Sequence, residues 1–213
     1  MGFCLRNNVA LAASAALAKG LKRVAIVDWD VHHGNGTQDM FYHDANVLFV
    51  SLHQFPFYPG TGAPTEIGRD AGLGYTANLA LPAESGPETY GAAFREVVLP
   101  VVQQYAPELV LVSAGFDAHE RDPLASMNLD RQTYGALASS LLDLVDTLGH
   151  GRIGFVLEGG YDLYALSDSV QEVAGALLGA RTELPLGRLH SREREAIART
   201  CEQLAPHWEL PLS

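Results

Sequence analysis

The stretch Val27-Asp28-Trp29-Asp30-Val31-His32-His33-Gly34-Asn35-Gly36 follows a short apolar run and predicts the end of a buried strand. Side chains alternate along an extended chain, so Asp28, Asp30 and His32 are expected on one side of it. Two carboxylates and an imidazole therefore converge where the strand ends, and the two glycines allow the sharp turn that follows. Oxygen and nitrogen ligands on one face favour a divalent metal ion, with zinc as the first candidate.

Other interpretations of this stretch remain open at this point. An Asp-x-Asp-x-His run is also compatible with a solvated turn or a structural hydrogen-bond cluster, because short motif matches are only hypotheses. A calcium loop of the EF-hand type is excluded, since its sixth position is His33 rather than glycine and its twelfth is Asp39 rather than glutamate. A phosphate-binding P-loop is excluded as well, because no Gly-Lys-Ser/Thr follows the glycines.

Composition narrows the class of protein. The chain has 213 residues, 47% apolar and 18% charged, which suits one globular domain with a sizeable core. Its net charge of −11 argues against a nucleic-acid partner and is compatible with a cationic substrate such as a lysine-rich tail or a polyamine. Cys4 and Cys201 are too few for a disulfide framework or a cysteine zinc site. No run approaches the roughly 20 apolar residues that span a bilayer, so we predict a cytoplasmic protein without a membrane partner.

Short, continuous apolar runs predict five strands separated by helices. The strands are expected at 23–28, 47–53, 75–81, 109–113 and 153–157, and the main helices near 8–19, 85–105, 130–148 and 163–178. Unalternating strands separated by helices indicate an α/β fold with a parallel sheet buried on both faces. Pro100 predicts a kink in the second of these helices. Residues 181–213 are charged and punctuated by prolines, with one helix expected at 191–204, so we predict a domain over 1–180 and a peripheral C-terminal segment over 181–213.

Chemically useful side chains follow three of the predicted strands. The first strand leads to Asp30 and His32, the fourth to Asp117, and the fifth to Tyr161 beside Gly159. In open parallel sheets, ligands gather at the carboxyl ends of the strands. Three protein ligands with a vacant position are typical of a catalytic rather than a structural zinc site.

Five motifs, in order and at consistent spacing, resemble the histone deacetylase family. They are VDWDVHHGNGTQ (27–38), VSLH (50–53), YPGTG (58–62), SAGFDAHERDP (113–123) and LEGGYDL (157–163). Asn35 and the pair Leu157-Glu158 are similar to the class II branch and its bacterial relatives. The resemblance implies a three-layer, arginase/deacetylase-like α/β fold with a mainly parallel central sheet. It also implies zinc-dependent hydrolysis of acyl amides, either acetyl-lysine in proteins or acetylpolyamines.

The resemblance implies roles for individual residues. Asp30, His32 and Asp117 match the zinc ligands, and Tyr161 matches the tyrosine that hydrogen-bonds the substrate carbonyl oxygen. The substrate tunnel is matched by Phe3, Tyr58 and Gly159. A structural potassium site is matched by Asp28, Asp30, His32, Ser51 and Leu52, largely through backbone oxygens.

The chain departs from the family's pattern at its beginning. The tandem histidines that act as general base and acid in the family lie on a loop ahead of the segment matched here by residues 2–4. We therefore expect a partial deacetylase domain that lacks its early strands, exposes an apolar sheet edge and is inactive alone. His33 is not expected to replace the dyad, because alternation directs it away from the face that carries His32. The alternative is a metal-binding or interaction module without catalysis.

Overall fold

Five parallel strands form the central sheet of the structure, a computed structural model that describes residues 5–211. The strands are β1 (Val24–Asp28), β2 (Val47–Gln54), β3 (Thr76–Leu81), β4 (Leu109–Ala114) and β5 (Ile153–Leu157), in the order β3-β2-β1-β4-β5. The helices are α1 (Asn8–Ala18), α2 (Asn35–Phe41), α3 (Pro87–Ala93), α4 (Leu99–Tyr105), α5 (Arg131–Thr147), α6 (Leu163–Leu177) and α7 (Ser191–Leu204). None of these helices is both long and apolar enough to cross a membrane. The predicted α/β fold with a parallel central sheet is confirmed.

Strand β1 lies at the centre of the sheet. Its residues 24–28 align with residues 47–51 of β2 on one side and with residues 109–113 of β4 on the other. All five β1 side chains are buried, as a continuous apolar run predicts for a parallel strand. Asp28, the last β1 residue, therefore lies between Ser51 and Ser113 at the carboxyl end of the sheet.

Alternate β1 residues face two separate cores, so helices cover both faces of the sheet. Val24 and Ile26 pack with apolar residues of α1. Ala25 and Val27 belong to the larger core, which α3, α4, α5 and α7 close from the other side. Apolar burial of this kind contributes roughly 25 cal/mol per Å². The resulting helix–sheet–helix arrangement has the three layers that were predicted.

The helix predicted between residues 85 and 105 is interrupted just before Pro100. Helix α3 ends at Ala93, a π-helical turn covers Phe94–Val98, and α4 continues with Pro100 as its second residue. Proline has no amide hydrogen, and its ring displaces the carbonyl group four residues earlier. That displacement accounts for the widened turn ahead of Pro100.

The C-terminal helix α7 packs against β3. Its residues Ile197 and Leu204 are fully buried in the larger core. Thr200 Oγ1 donates a hydrogen bond to the backbone oxygen of Asn78 at 2.8 Å. Residues that follow the predicted boundary at 180 thus contribute to the same core, and the division of the chain at that point stays a prediction.

Strand β5 forms one edge of the sheet within residues 5–211. It aligns residue by residue with β4, and no second partner strand lies among the described residues. Its first four residues are only partly buried, and Leu157 is 60% exposed. Leu163, Val170 and Leu177, spaced seven residues apart along one face of α6, are exposed as well. Exposed apolar side chains therefore occur on β5 and α6, and the apolar edge expected from missing early strands stays a prediction.

The packing of α7 leads to a stability prediction. Leu204→Ala should lower the free energy of unfolding by about 2–5 kcal/mol, because it removes a fully buried side chain and leaves a cavity. The matched control is Leu178→Ala, whose side chain is 90% exposed and whose loss should change stability by no more than about 0.5 kcal/mol. Urea unfolding of both variants measures the difference. Equal, small effects would show that α7 does not belong to the cooperative core.

Candidate metal centre

The three predicted metal ligands meet at the carboxyl ends of β1 and β4. One ligand atom from each of Asp30, His32 and Asp117 lies within 4.8 Å of the others. His32 Nδ1 lies 3.1 Å from Asp30 Oδ1 and 3.2 Å from Asp117 Oδ2, so the imidazole faces both carboxylates. Two carboxylates and one imidazole form the mixed oxygen and nitrogen set that suits zinc or a similar divalent ion.

Backbone amides of neighbouring loops hold the two carboxylates in place. Asp117 Oδ1 accepts a hydrogen bond from Val31 N at 3.0 Å, which ties the end of β4 to the end of β1. Asp30 Oδ2 accepts one from Gly159 N at 2.8 Å, which ties the end of β1 to the loop after β5. The remaining oxygen of each carboxylate faces His32. Each acidic side chain is therefore oriented before any ion binds.

The electrostatics of the centre favour a bound cation. Asp117 is fully buried, and its Oδ2 accepts no hydrogen bond of acceptable geometry although His32 Nδ1 lies within ion-pair distance. Burial raises the pKa of the Asp117 carboxyl group. Burial opposes protonation of His32, but the adjacent Asp117 and Asp30 carboxylates outweigh that effect and raise the pKa of the imidazole. A metal ion can replace this proton, because ligands bind metals in their deprotonated form. The residues present therefore fit a divalent ion.

Two glycines allow the backbone to approach the carboxylates closely. A Cβ atom on Gly159 would overlap the Asp117 carboxylate and lie 2.7 Å from Asp30 Oδ2. A Cβ atom on Gly115 would overlap the side chain of Asp30. The sequence analysis assigned Gly159 only to the substrate tunnel and did not single out Gly115. Their role depends on contacts between different strand ends, which a single motif does not reveal.

A cavity of about 460 Å³ opens beside the three ligands, and several predicted residues line it. Tyr58, Gly159 and Tyr161 are among the lining residues, and Tyr161 is 39% exposed. Phe57 stacks on His32 with ring centroids 5.4 Å apart, a contact that sequence reasoning missed because irregular loops have no periodicity. Phe3, the other predicted tunnel residue, lies outside the described residues.

The predicted potassium site shares Asp30 and His32 with this centre, and its other residues lie on β1 and β2. Asp28 and Ser51 are aligned neighbours on β1 and β2, and both are buried, as is Leu52. Burial and the adjacent Asp30 carboxylate raise the pKa of Asp28. A nearby cation would relieve this cost of burying a carboxylate. The potassium assignment itself stays a prediction.

A buried hydrogen-bond network fixes the loop of residues 54–74 beside the metal centre. His33 lies with Nδ1 2.8 Å from Thr61 Oγ1 and Nε2 3.1 Å from Gln38 Oε1. Glu66 Oε2 accepts hydrogen bonds from Gln38 Nε2 at 2.6 Å and from Gly62 N at 3.1 Å. Burial lowers the pKa of His33, which matches a neutral ring inside the network. His33 thus supports the loop that carries Tyr58, a role that the sequence analysis did not predict.

The close approach of Gly159 generates a test of metal affinity. Gly159→Ala should weaken zinc binding by about tenfold or more, because the added methyl group displaces both carboxylates and the amide that orients Asp30. Gly175→Ala is the matched control, since the nearest atom to its added Cβ would lie 3.8 Å away. Competition with a chromophoric chelator measures both affinities. Unchanged affinity in Gly159→Ala would contradict the proposed close packing.

The Glu66 network generates a pH-dependent prediction. Burial opposes ionisation of Glu66, but hydrogen bonds from Gln38, Ala63 and Gly62 outweigh it and lower the pKa of its carboxyl group. The ionised group therefore stabilises the fold fully above the unfolded value of about 4.5, and this contribution is lost as pH falls through the lower folded pKa. Glu66→Gln should cost about 1 kcal/mol at neutral pH, since the site is partly solvent-screened. The difference in unfolding free energy between wild type and variant should narrow as pH falls below the ordinary pKa of a glutamate, through the lower folded pKa of Glu66.

Urea unfolding at a series of pH values measures the difference in unfolding free energy between wild type and Glu66→Gln. Glu195→Gln provides the control, because the Glu195 side chain is 62% exposed and pairs with Arg199 one helical turn away. Its stability change should stay within about 0.5 kcal/mol at every pH. A gap for Glu66→Gln that is constant with pH would show that ionisation of Glu66 does not support the loop.

Comparison with known proteins tests the family resemblance independently of the site geometry. The histone deacetylase domain family matches residues 1–177. The chain is 48% identical over 180 residues to "Histone deacetylase 14, chloroplastic" of Arabidopsis thaliana, covering 84% of this chain and 43% of that protein. It is 44% identical over 162 residues to a "Probable deacetylase" of Archaeoglobus fulgidus, covering 76% of this chain and 45% of that protein. The chain thus spans less than half the length of these curated relatives.

Solved structures agree with this match. The crystal structure of the HDA15 HD domain superposes with a TM-score of 0.89 at 40% identity, covering 98% of this chain and 57% of that one. The structure of the histone deacetylase Clr3 gives a TM-score of 0.86 at 40% identity, covering 96% of this chain and 36% of that one. The predicted arginase/deacetylase-like fold is confirmed. The chain belongs to the histone deacetylase family.

Proposed function

We propose that this chain forms the metal-binding part of a zinc-dependent deacetylase that hydrolyses acyl amides. The observation that carries the proposal is the convergence of Asp30, His32 and Asp117 beside a cavity that Tyr161 also lines. The substrates that fit best are acetyl-lysine in proteins and acetylpolyamines. The names of the relatives, deacetylases in each case, support removal of acetyl groups as the reaction.

The proposed roles of the residues follow from their chemistry. Asp30, His32 and Asp117 hold the divalent ion, which supplies Lewis-acid activation of water and of the amide carbonyl when bound. The Tyr161 hydroxyl donates a hydrogen bond to the carbonyl oxygen, where negative charge develops during hydrolysis. Asp28, Ser51 and Leu52 would contribute to a structural potassium site behind the centre.

The cavity walls suit a flexible acylated amine. Tyr58 and Leu124 line the cavity with apolar surface, against which the methylene groups of an acyl-lysine or acylpolyamine chain can pack. The net charge of −11 attracts substrates that carry further positive charges. We therefore propose a cationic substrate, and neither a nucleic acid nor a membrane as partner.

The acid–base groups of the reaction are proposed to lie outside residues 5–211. The histidines that line the cavity are His32, which is proposed as a ligand, and His33, whose two ring nitrogens are both in hydrogen-bond contact with the network. Because the matched part of this chain covers less than half of each relative, we propose that a part of the domain outside residues 5–211 supplies the family's tandem histidines. Because those histidines act as the acid and base of the reaction, we propose that this chain alone does not hydrolyse the substrate.

The location of the protein is a separate proposal. Two relatives, from Arabidopsis thaliana and Oryza sativa, are named as chloroplastic proteins. For this chain a cytoplasmic location stays a prediction.

Zinc binding and turnover test the proposed function together. In chelator competition the chain should bind one equivalent of zinc, and Asp117→Ala should lose most of it, because a site with two protein ligands is weak. Tyr161→Phe should retain the metal. In a protein completed with the tandem-histidine segment, Tyr161→Phe should reduce hydrolysis of an acetyl-lysine peptide or acetylpolyamine by roughly 10²–10³-fold.

Three results would overturn parts of this proposal. Full zinc retention in Asp117→Ala would show that the ligand set is wrong. Robust metal-dependent hydrolysis by residues 1–213 alone would show that another group of this chain performs the acid–base work. Zinc binding without any hydrolysis in the completed protein would favour the alternative, a metal-binding interaction module.

A further inference from the structure

The loop after β4 contains a buried carboxylate, Asp122, that makes contacts outside the metal centre. Asp122 is only 7% exposed, although aspartate is usually a surface residue. Its Oδ2 accepts a hydrogen bond from Tyr161 N at 2.7 Å and a longer one from Asp162 N at 3.4 Å. Its Oδ1 accepts a hydrogen bond from Leu124 N at 3.0 Å. One carboxylate thus connects the loop of residues 118–129 to the loop after β5.

Both connected loops line the cavity. Leu124 comes from the first and Tyr161 from the second, so Asp122 lies where the two cavity walls meet. A hydrogen bond from a backbone amide to an ionised carboxylate is stronger than one between neutral groups. The contact between Asp122 and Tyr161 therefore fixes the backbone of one wall relative to the other.

The backbone ahead of Tyr161 needs such an anchor. Gly159 and Gly160 precede it, and Gly160 has a φ of +135°, a conformation that other residues rarely adopt. Two consecutive glycines leave many backbone conformations open, and Tyr161 itself is 39% exposed. The Gly159 amide is held on the other side by Asp30, so the segment is fixed at both ends by carboxylates.

We propose that Asp122 is a positioning residue for Tyr161, which it holds through the backbone so that the phenol hydroxyl faces the carbonyl oxygen of the substrate. This inference rests on the proposed function, in which Tyr161 donates that hydrogen bond. Among the described residues, the hydrogen bonds of Asp122 come from the amides of Leu124, Tyr161 and Asp162 and not from the three proposed ligands, so Asp122 reaches Tyr161 through its backbone amide. Loss of Asp122 should therefore leave zinc affinity intact while removing the contribution of Tyr161.

The test combines amide exchange with binding of a small probe to the zinc-loaded chain. Acetohydroxamate is suitable, because it chelates divalent ions and presents a carbonyl oxygen to a nearby hydroxyl donor. Asp122→Ala should speed hydrogen exchange at the Tyr161 amide by about tenfold or more, because this amide loses its hydrogen bond to a charged acceptor. It should weaken probe binding by about three- to tenfold, as much as Tyr161→Phe does. The double variant should bind the probe no more weakly than either single variant.

Control and rescue variants separate positioning from general stability. Asp130→Ala removes a similar contact, since Asp130 Oδ1 accepts a hydrogen bond from Thr133 N at 2.8 Å and caps α5 away from the cavity. It should alter neither Tyr161 exchange nor probe binding. Asp122→Asn keeps an acceptor oxygen and should restore part of the protection, and it replaces Asp122→Ala in the whole test if the latter does not fold.

The results of this test distinguish failure of the Asp122 role from failure of the Tyr161 role. Unchanged exchange at Tyr161, additive losses in the double variant, or zinc affinity lost in Asp122→Ala would each overturn the positioning role. If Tyr161→Phe leaves probe binding unchanged, the proposed hydroxyl role of Tyr161 fails. In that case the exchange measurement alone decides whether Asp122 holds the Tyr161 backbone.

Discussion

The carboxylates of Asp30 and Asp117 have two functions in this structure, because each one accepts a backbone amide from another strand end and also faces His32. The candidate metal centre and the connection between β1, β4 and the loop after β5 therefore depend on the same two carboxylates. In a parallel sheet the carboxyl ends of neighbouring strands meet at one edge, which brings such groups together without long side chains. Orientation by backbone amides then leaves one oxygen of each carboxylate directed at the shared site.

This arrangement concentrates negative charge where little water is present. Burial raises the pKa values of Asp28 and Asp117, and the proton on His32 compensates part of the charge. A divalent ion at the front and a monovalent ion behind would compensate more of it, which is the physical reason for proposing both. The glycines at 115 and 159 are the second requirement, because any side chain there would occupy the space of the carboxylates.

Buried polar contacts hold the loops that surround the centre. Glu66 and His33 fix the loop that carries Tyr58, and Asp122 joins the two loops that carry Leu124 and Tyr161. The carboxylates of Glu66 and Asp122 accept hydrogen bonds from backbone amides that irregular loops would otherwise leave without partners. Leu157 at the end of β5 lines the same cavity and is exposed.

The sequence by itself determined the strand and helix pattern, the parallel α/β class, the three metal ligands as a hypothesis and the family resemblance. Apolar runs and the alternation of Asp28, Asp30 and His32 are local properties, so they can be read from neighbouring residues. Only the tertiary structure decided that Gly115 and Gly159 touch the carboxylates, that His33 supports a loop, and that Asp122 holds Tyr161. It also placed α7 in the main core, although its charged surroundings in the sequence predict a peripheral segment. These contacts join residues far apart in the chain, and they depend on the order of the strands and the path of each loop, which no local pattern encodes.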